Sequence, residues 1–492
     1  MKIGYRVDLP LIDARYVGLM TKTILLILGV VLGSVPLGAL TVDDAVKQAR
    51  ENNLGLQTED LKLAQKTDEK DYSFNRLYPT LSASTTLLRL NQINLNQWEE
   101  VWPFLQTKNP YNPAQTNIPF STFTNQLTPD YNWIWSLGVN AQWILNPAVF
   151  RGITQTLVDY QTAKITRDAA AARLDRDVRK AFYQLLALHE ATGVFDSQLK
   201  VAEDRYRLAK LDFDAGLGSE IAALQAQVTY VNRKPLLDDQ KLNEDNARAG
   251  FRILLNLPDG APLDLQGSLD VDPGIRKALA DIDVDKLVKR FLEGRWDLGV
   301  ARGTAASLTN LAQLQADSLW PSLIFGWTAD PSVQAPFLAS TWNNPTYSQY
   351  NWSQTNGAFS VTLDWKLDSF LPGSTTGIEI AGRQRAAKEA ELGVEQTRRA
   401  GETEIRTLIG QLKKSAVALD SLALALDLAQ RSSKLTEDGY KAGTQSFTDA
   451  QDADLQYQTA RLQYLNEELA LQSTLADLDY SLAAQREEWF HG

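Results

Sequence analysis

The sequence predicts a mainly α-helical chain with a smaller β component, built as two copies of one plan. Three observations predict it. Ala171, Leu174, Val178, Ala181, Leu185, Leu188, Thr192, Phe195, Leu199, Ala202, Tyr206, Ala209 and Phe213 recur at steps of three and four. An apolar seam held that long marks a helix packed lengthwise against another helix. The pattern returns 227 residues later, from Ile405 through Leu408, Leu412, Ser415, Leu419, Leu422, Leu426, Ala429, Ser433 and Thr436 to Tyr440. Ahead of each seam the apolar residues alternate with period two, the mark of a strand with one apolar face.

Composition narrows the function classes. The chain has 492 residues, enough for a large core or two domains. It has no cysteine, which excludes a disulfide framework, a thiolate metal site and a lipid-modified N-terminal cysteine. His189 and His491 are the only histidines, so little imidazole chemistry is available and no cofactor is implied. A net charge of −11, spread along the chain, is unlike a nucleic-acid binder and leaves a solvated acidic surface or a cation-favouring interior.

Residues 1–39 read as a secretory signal. A short basic start at Met20-Thr21-Lys22-Thr23 leads into apolar Ile24 to Leu32 and a small-residue exit ending at Ala39. Met20 stands where such a signal begins, so residues 1–19 read as an over-extended start. Cleavage is expected after Ala39. Beyond this segment no run of 18 apolar residues occurs, so residence in a membrane requires a β-barrel.

Two structural repeats follow, 40–282 and 283–492. Each opens with a helix: Val42, Asp43, Val46, Lys47, Glu51 and Leu56 recur 242 residues on as Val284, Asp285, Val288, Lys289, Glu293 and Leu298. Each helix is expected to end at a proline, Pro79 or Pro321, which disfavours helix in the residue before it.

Strand pairs are expected at 80–146 and 321–368. Phe359, Val361, Leu363, Trp365 and Leu367 alternate with polar residues, and so, mostly, do Trp133 to Leu145. Leu323, Phe325 and Trp327 make a third strand, and Leu81 to Leu90 a weaker fourth. Ten of the twelve tryptophans fall between Trp98 and Trp143 or between Trp320 and Trp365. That crowding fits the aromatic girdle of a membrane barrel better than an ordinary core. Loops Asn91 to Tyr131 and Pro331 to Gly357 join the strands, and the repeat offset falls from 242 before them to 222 after them (Trp143 against Trp365), as a first loop about twenty residues longer would produce.

Helical hairpins close each repeat, 150–257 and 376–487. The long outgoing helices, Phe150 to Asp214 and Thr376 to Lys441, extend about 97 Å at 1.5 Å per residue. Each stops at a glycine turn, Ala215-Gly216-Leu217-Gly218 or Ala442-Gly443-Thr444, where the left-handed backbone is cheap. Pro235 is expected to kink or break the first return helix, with Leu236 onward a separate segment. Residues 258–283 form a Pro/Asp/Gly-rich connector.

In this order and detail the chain resembles the TolC-like family of outer-membrane efflux proteins. The resemblance covers 40–492 and rests on the duplicated order of elements. Its most specific pieces are the tips Asp212 to Ser219 and Gly439 to Ser446, followed by Phe447 to Ala453. It implies a homotrimer in the cell outer membrane, with four strands per chain in a shared twelve-stranded barrel. The hairpins would form an α-barrel across the periplasm. It implies partners too: a periplasmic adaptor and a proton-driven (RND) or ATP-driven (ABC) inner-membrane pump. Docking falls to Gly216, Leu217, Gly218, Ser219, Gly443, Thr444, Gln445 and Ser446. The family's gate positions map to Asp449, Asp452 and Tyr440. Two departures stand out: Ala222, where an aspartate is common, and Gln445, where a basic residue is common.

Three copies of an acidic position make a carboxylate ring, which favours cations at a narrow mouth. The alternative for Asp449 and Asp452 is a first-turn helix role. A periplasmic coiled-coil scaffold or adaptor without a barrel explains the helices but not the strands and tryptophans. A hydrolase using Asp212 and Asp214 is disfavoured, because residues two apart diverge around a helix. His189 reads as a flanking surface histidine and His491 as part of a tail.

Overall fold

The computed structural model describes residues 39–89, 133–271, 274, 276, 279, 282–329, 332–334, 357–484 and 486–490. The expected signal core, most of both strand-joining loops, four of the clustered tryptophans (Trp98, Trp102, Trp342 and Trp352) and His491 lie outside the described residues. In chain order the first copy runs α1 (Val42–Asn52), α2 (Leu54–Asp71), β1 (Thr80–Arg89), β2 (Trp133–Leu145), α3 (Pro147–Asp214) and α4 (Glu220–Leu255). The second runs α5 (Val284–Phe291), α6 (Trp296–Asp317), β3 (Ser322–Ala329), β4 (Ser332–Gln334), β5 (Gly357–Asp364), α7 (Thr375–Lys441) and α8 (Phe447–Leu482), and α9 (Arg486–Phe490) follows.

Two compact units divide the chain, and each draws on both copies. One comprises Gly55–Ala172, Asp283–Thr407 and the residues from Asp479. It carries one antiparallel sheet in the order β1-β2-β3-β5. Thr80 faces Gln142 across the first pair, Leu145 faces Leu323 across the second, and Ser322 faces Asp364 across the third. The three-residue β4 pairs with the start of β2 and is an addition to the four strands read from alternation. Among the described residues β1 and β5 each pair on one side only, so the sheet has two open edges. Every β5 residue is exposed, its apolar set Phe359, Val361 and Leu363 included.

The duplication extends to single hydrogen bonds. Trp143 Nε1 donates to the Leu77 carbonyl at 2.8 Å, and Trp365 Nε1 to the Leu319 carbonyl at 3.1 Å. Each indole satisfies a carbonyl just before the proline that opens the strand, where helical partners have run out.

The opening helix of each copy does not run unbroken to its proline. It breaks at Asn53 in the first copy and at Arg295 in the second, both with extended ψ (124° and 140°). Asn53 Nδ2 donates to the Leu254 carbonyl (2.9 Å), and Arg295 Nη1 to the Ser481 carbonyl (3.3 Å). Leu254 and Ser481 are themselves 227 residues apart, so the break is one feature built twice. Arg295 is buried and also meets Asp297 (2.8 Å) and Glu404 (2.6 Å), and any side chain at Gly401 would strike it. Burial opposes its charge, but the two carboxylates outweigh this and raise its pKa.

The other unit takes Leu54 and the described residues before it, Arg173–Ile282 and Leu408–Leu478. Thr41 opens α1 with a reciprocal capping box to Asp44. Leu40 bridges to the connector at Leu265. Phe182, Leu185, Phe251 and Leu255 are fully buried, with the two phenylalanine rings 6.2 Å apart. Pro235 does not break α4, which runs from Glu220 through Leu255. The proline withholds one helical hydrogen bond. Hydrogen bonds to α3 flank it, Arg233 to Gln198 and Gln240 to the Leu188 carbonyl (3.3 Å), and Leu237 beside it is buried. Tertiary packing overrides the local preference.

The seam is corrected in phase. Leu174, Val178, Leu185, Ala202 and Ala209 are buried as expected, whereas Leu188, Thr192, Phe195 and Leu199 are half-buried. Between them the covered residues are Ala191, Val194 and Gln198, then Arg205. In α7 the last buried residue is Leu419, and no residue from Asp420 to Lys441 is buried.

Candidate gate at the hairpin tips

The tips form because glycine stands where the backbone must turn left-handed. Gly216 has φ +73° and Gly443 φ +72°. In the first tip the N–H groups of Leu217 and Gly218 both reach the Asp212 carbonyl, at 2.8 and 3.0 Å. In the second, Thr444 and Gln445 reach the Gly439 carbonyl at 2.9 and 3.2 Å, and the Thr444 hydroxyl adds a third bond at 3.0 Å. These bonds consume carbonyls that a helix end leaves orphaned. An added Cβ at Gly216 or Gly443 would meet nothing, so the demand is conformational rather than steric.

The return helices start differently. The Ser219 hydroxyl accepts from the Ala222 N–H (3.2 Å) and caps α4 alone. Ser446 caps α8, and Asp449 answers it: its carboxylate accepts from the Ser446 N–H (3.2 Å) and hydroxyl (2.7 Å). Position 222 is the counterpart of 449, so alanine removes from the first tip the acid that completes the second. Asp449 is thus a first-turn capping acid, as well as an exposed negative charge. Asp452, one turn on, is exposed.

Tyr440 sits between the two. Its ring meets Phe447 edge-on at 6.0 Å. Burial, then the Asp212 charge, pushes its phenol above the usual range, so it stays a neutral donor. The Gln445 side chain folds back over Gly439, where a Cβ would meet it at 2.7 Å. Leu217 is fully out in solvent. Asp212 and Asp214 lie exposed on the last turn of α3. His189 is a surface residue paired with Glu244 at 3.0 Å.

Sequence reasoning missed the groups that join the hairpins. Arg205 of α3 is buried and meets Glu437 of α7 at 2.5 Å. Among the described residues its Nε has no hydrogen-bond partner. A small cavity beside it is lined by polar Gln198, Thr229, Arg233, Gln451 and Asp454 and by apolar Val201, Ala202, Ala226 and Phe447, with Gln451 of α8 reaching Thr229 of α4 at 3.4 Å. The available signal was spacing: Gln198, Ala202, Arg205 and Ala209 keep a 4-3-4 step, with two polar members. Among the described residues no group of acidic or histidine side chains is arranged to hold a metal ion. What the tips offer is charge and a small set of breakable contacts.

Comparison with known proteins identifies the fold. Residues 287–484 match the outer membrane efflux protein family. That match spans about two fifths of the chain, whose fold is TolC-like. None of the curated proteins matches the chain. Solved structures share the fold across most of both chains. The Campylobacter jejuni outer membrane channel CmeC is 14% identical (TM-score 0.66, covering 90% of this chain and 85% of that one). The Vibrio cholerae outer membrane protein VceC is 12% identical (0.64, 90% and 96%). The Neisseria gonorrhoeae outer membrane channel MtrE, in its open state, is 18% identical (0.63, 90% and 89%). No described helix of the chain is long and apolar enough to cross a membrane.

Proposed function

We propose that this chain is the outer-membrane exit duct of a tripartite efflux or type I secretion system, a passive conduit from periplasm to exterior. The observation that carries the reading is the open-edged antiparallel sheet, its outward apolar residues in solvent, joined twice to a long helical hairpin. Strands of 8 to 13 residues bracket the 9 to 11 that a tilted strand needs to span a bilayer. Open edges in a membrane must pair with another chain, because hydrocarbon supplies no hydrogen bonds. Three chains would then close a twelve-stranded barrel, with the hairpins continuing through the periplasm. The repeats at 40–282 and 283–492, following a cleaved signal, are part of this reading.

In the duct the second tip narrows the entrance, and Asp449 and Asp452 face the lumen as carboxylate rings. The turns at Gly216 to Ser219 and Gly443 to Ser446 meet a periplasmic adaptor, which links the duct to an RND or ABC pump. No step requires bond chemistry, so the chain is not an enzyme. A scaffold without a barrel is not favoured, since it leaves the sheet without a role. The test is membrane fractionation with heat-modifiable migration, followed by planar-bilayer recording of the purified full chain. Outer-membrane sedimentation and discrete conductance steps are expected. A soluble periplasmic product without conductance sinks the reading.

A further inference from the structure

The inner seam of α8 is polar where a coiled coil is ordinarily apolar. Gln451, Gln458 and Gln472 stand at steps of seven with Leu465 filling the gap, and Asp454 and Glu468 follow Gln451 and Leu465 by three. Gln458, Glu468 and Gln472 are buried. The Gln458 amide donates to Asp454 (3.4 Å) and the Gln472 amide to the Leu269 carbonyl (3.2 Å). Among the described residues neither Oε1 has a hydrogen-bond partner. Buried polar atoms are rarely left so, and a dry seam would strand them.

Opposite the start of this seam a donor is left over as well. The Arg205 side chain is 9% exposed and gives Nη2 to Glu437, while its buried Nε goes unanswered. Arg205 lies eleven residues before Gly216, and Asp454 eleven after Gly443. Both line the same cavity, of about 10 Å³, where α3, α4 and α8 meet. That is the room one water needs, and a buried water makes about three hydrogen bonds. The wall supplies them: Arg205 Nε donates, and the Asp454 carboxylate and Gln451 Oε1 accept. Charge points to a neutral guest. Arg205 is matched by Glu437, and Arg233 is matched in number by Asp454. An ion of either sign would add a buried charge with no counter-charge.

We infer that this cavity is a water site, and that one ordered water carries the contact from Arg205 of α3 to Asp454 of α8. Arg205 is then the meeting point of the hairpins, bonded directly to α7 and through water to α8. A direct guanidinium–carboxylate contact would lock the two helices. A bridged one can be handed to bulk water as they part, with every polar group still satisfied.

The test is a crystal structure of the purified full chain, at a resolution that shows ordered water, from crystals soaked in sodium bromide. A single peak about 3 Å from Arg205 Nε and from Asp454 or Gln451 is expected, with no anomalous signal from bromide. A direct bond from Nε to another side chain overturns the water, and a bromide signal there overturns it in favour of an anion. A second measurement fills the cavity from the buried wall residue Ala226. In the parent chain Ala226→Val expels the water and strands Nε, so amide exchange of residues 450–458 should quicken several-fold. In an Arg205→Met background no donor is stranded, and the same change should slow exchange or leave it as it was. Equal effects in the two backgrounds mean a dry cavity and overturn the site.

Discussion

Glu437→Ala removes the partner of a cation that cannot reach water. The Arg205 side chain is 9% exposed and Glu437 26%. Stripping one partner from a fully buried ion pair costs about 3–5 kcal/mol, but a quarter-exposed carboxylate has already kept some hydration. The value expected is therefore about 2 kcal/mol, in the range for one hydrogen bond to a charged group. Between Asp420 and Lys441 α7 buries no residue, so little else in the chain resists its departure from α3. About 2 kcal/mol is a ~30-fold shift in the ratio of docked to undocked α7 end. Amide hydrogen exchange of residues 430–441 in the full chain reads that ratio when reclosing is fast. Exchange should quicken ~30-fold in Glu437→Ala. In Arg205→Leu with Glu437→Leu it should return to within a few-fold of the parent, because an apolar pair leaves no buried charge stranded. If Glu437→Ala exchanges no faster than Asp438→Ala, its solvent-facing neighbour, the pair does not hold the hairpins together.

Other consequences can be checked separately. Asp449→Ala with Asp452→Ala should lower cation selectivity of single channels in planar bilayers; unchanged selectivity would place both carboxylates away from the lumen. Ala222→Asp should complete the capping box in the first tip and stabilise α4 by about 0.5 kcal/mol, seen as slower exchange near Ala223. The two buried glutamates should respond to pH in opposite senses. Burial raises the Glu468 pKa above that of an unfolded carboxylate, with Tyr464, Asp270, Glu190 and Arg276 around it. Its contribution is full below the unfolded value and is lost as pH rises through the folded one. Burial also pushes Glu244 up, but hydrogen bonds from Thr192, Arg248 and His189 win and lower it. Its contribution is present above the unfolded value and is lost as pH falls through the folded one. Thermal unfolding against pH should therefore flatten on the alkaline side in Glu468→Gln and on the acid side in Glu244→Gln; the same slope change in both would refute the assignment.

Helix and strand boundaries were legible because they are set by neighbours in sequence. Gly216 and Gly443 stop helices through their own φ, and alternation at Phe359 to Leu363 needs no partner to be read. What escaped was set at long range. Gln198 and Arg205 look like surface residues in a seam, yet their partners are Arg233 and, 232 positions on, Glu437. Asn53 lies in good helical context, and a carbonyl 201 residues away breaks the helix there. Pro235 sends a strong local signal that packing overrides. The gate positions were legible only by resemblance, since Asp449 as a capping acid and Asp449 as a lumen charge are written with the same residue.

The duplicated break in the opening helices has a chemical consequence. Both copies carry the same joint, but they are fastened by different chemistry. Asn53 contributes a neutral amide bond, worth about 1 kcal/mol, whereas bonds to a charged group such as Arg295 are worth about 1.5–3 kcal/mol each. A repeat doubled in sequence is thus fastened by a neutral amide in one copy and by a buried guanidinium in the other, so a change of pH or salt need not act on the two joints alike.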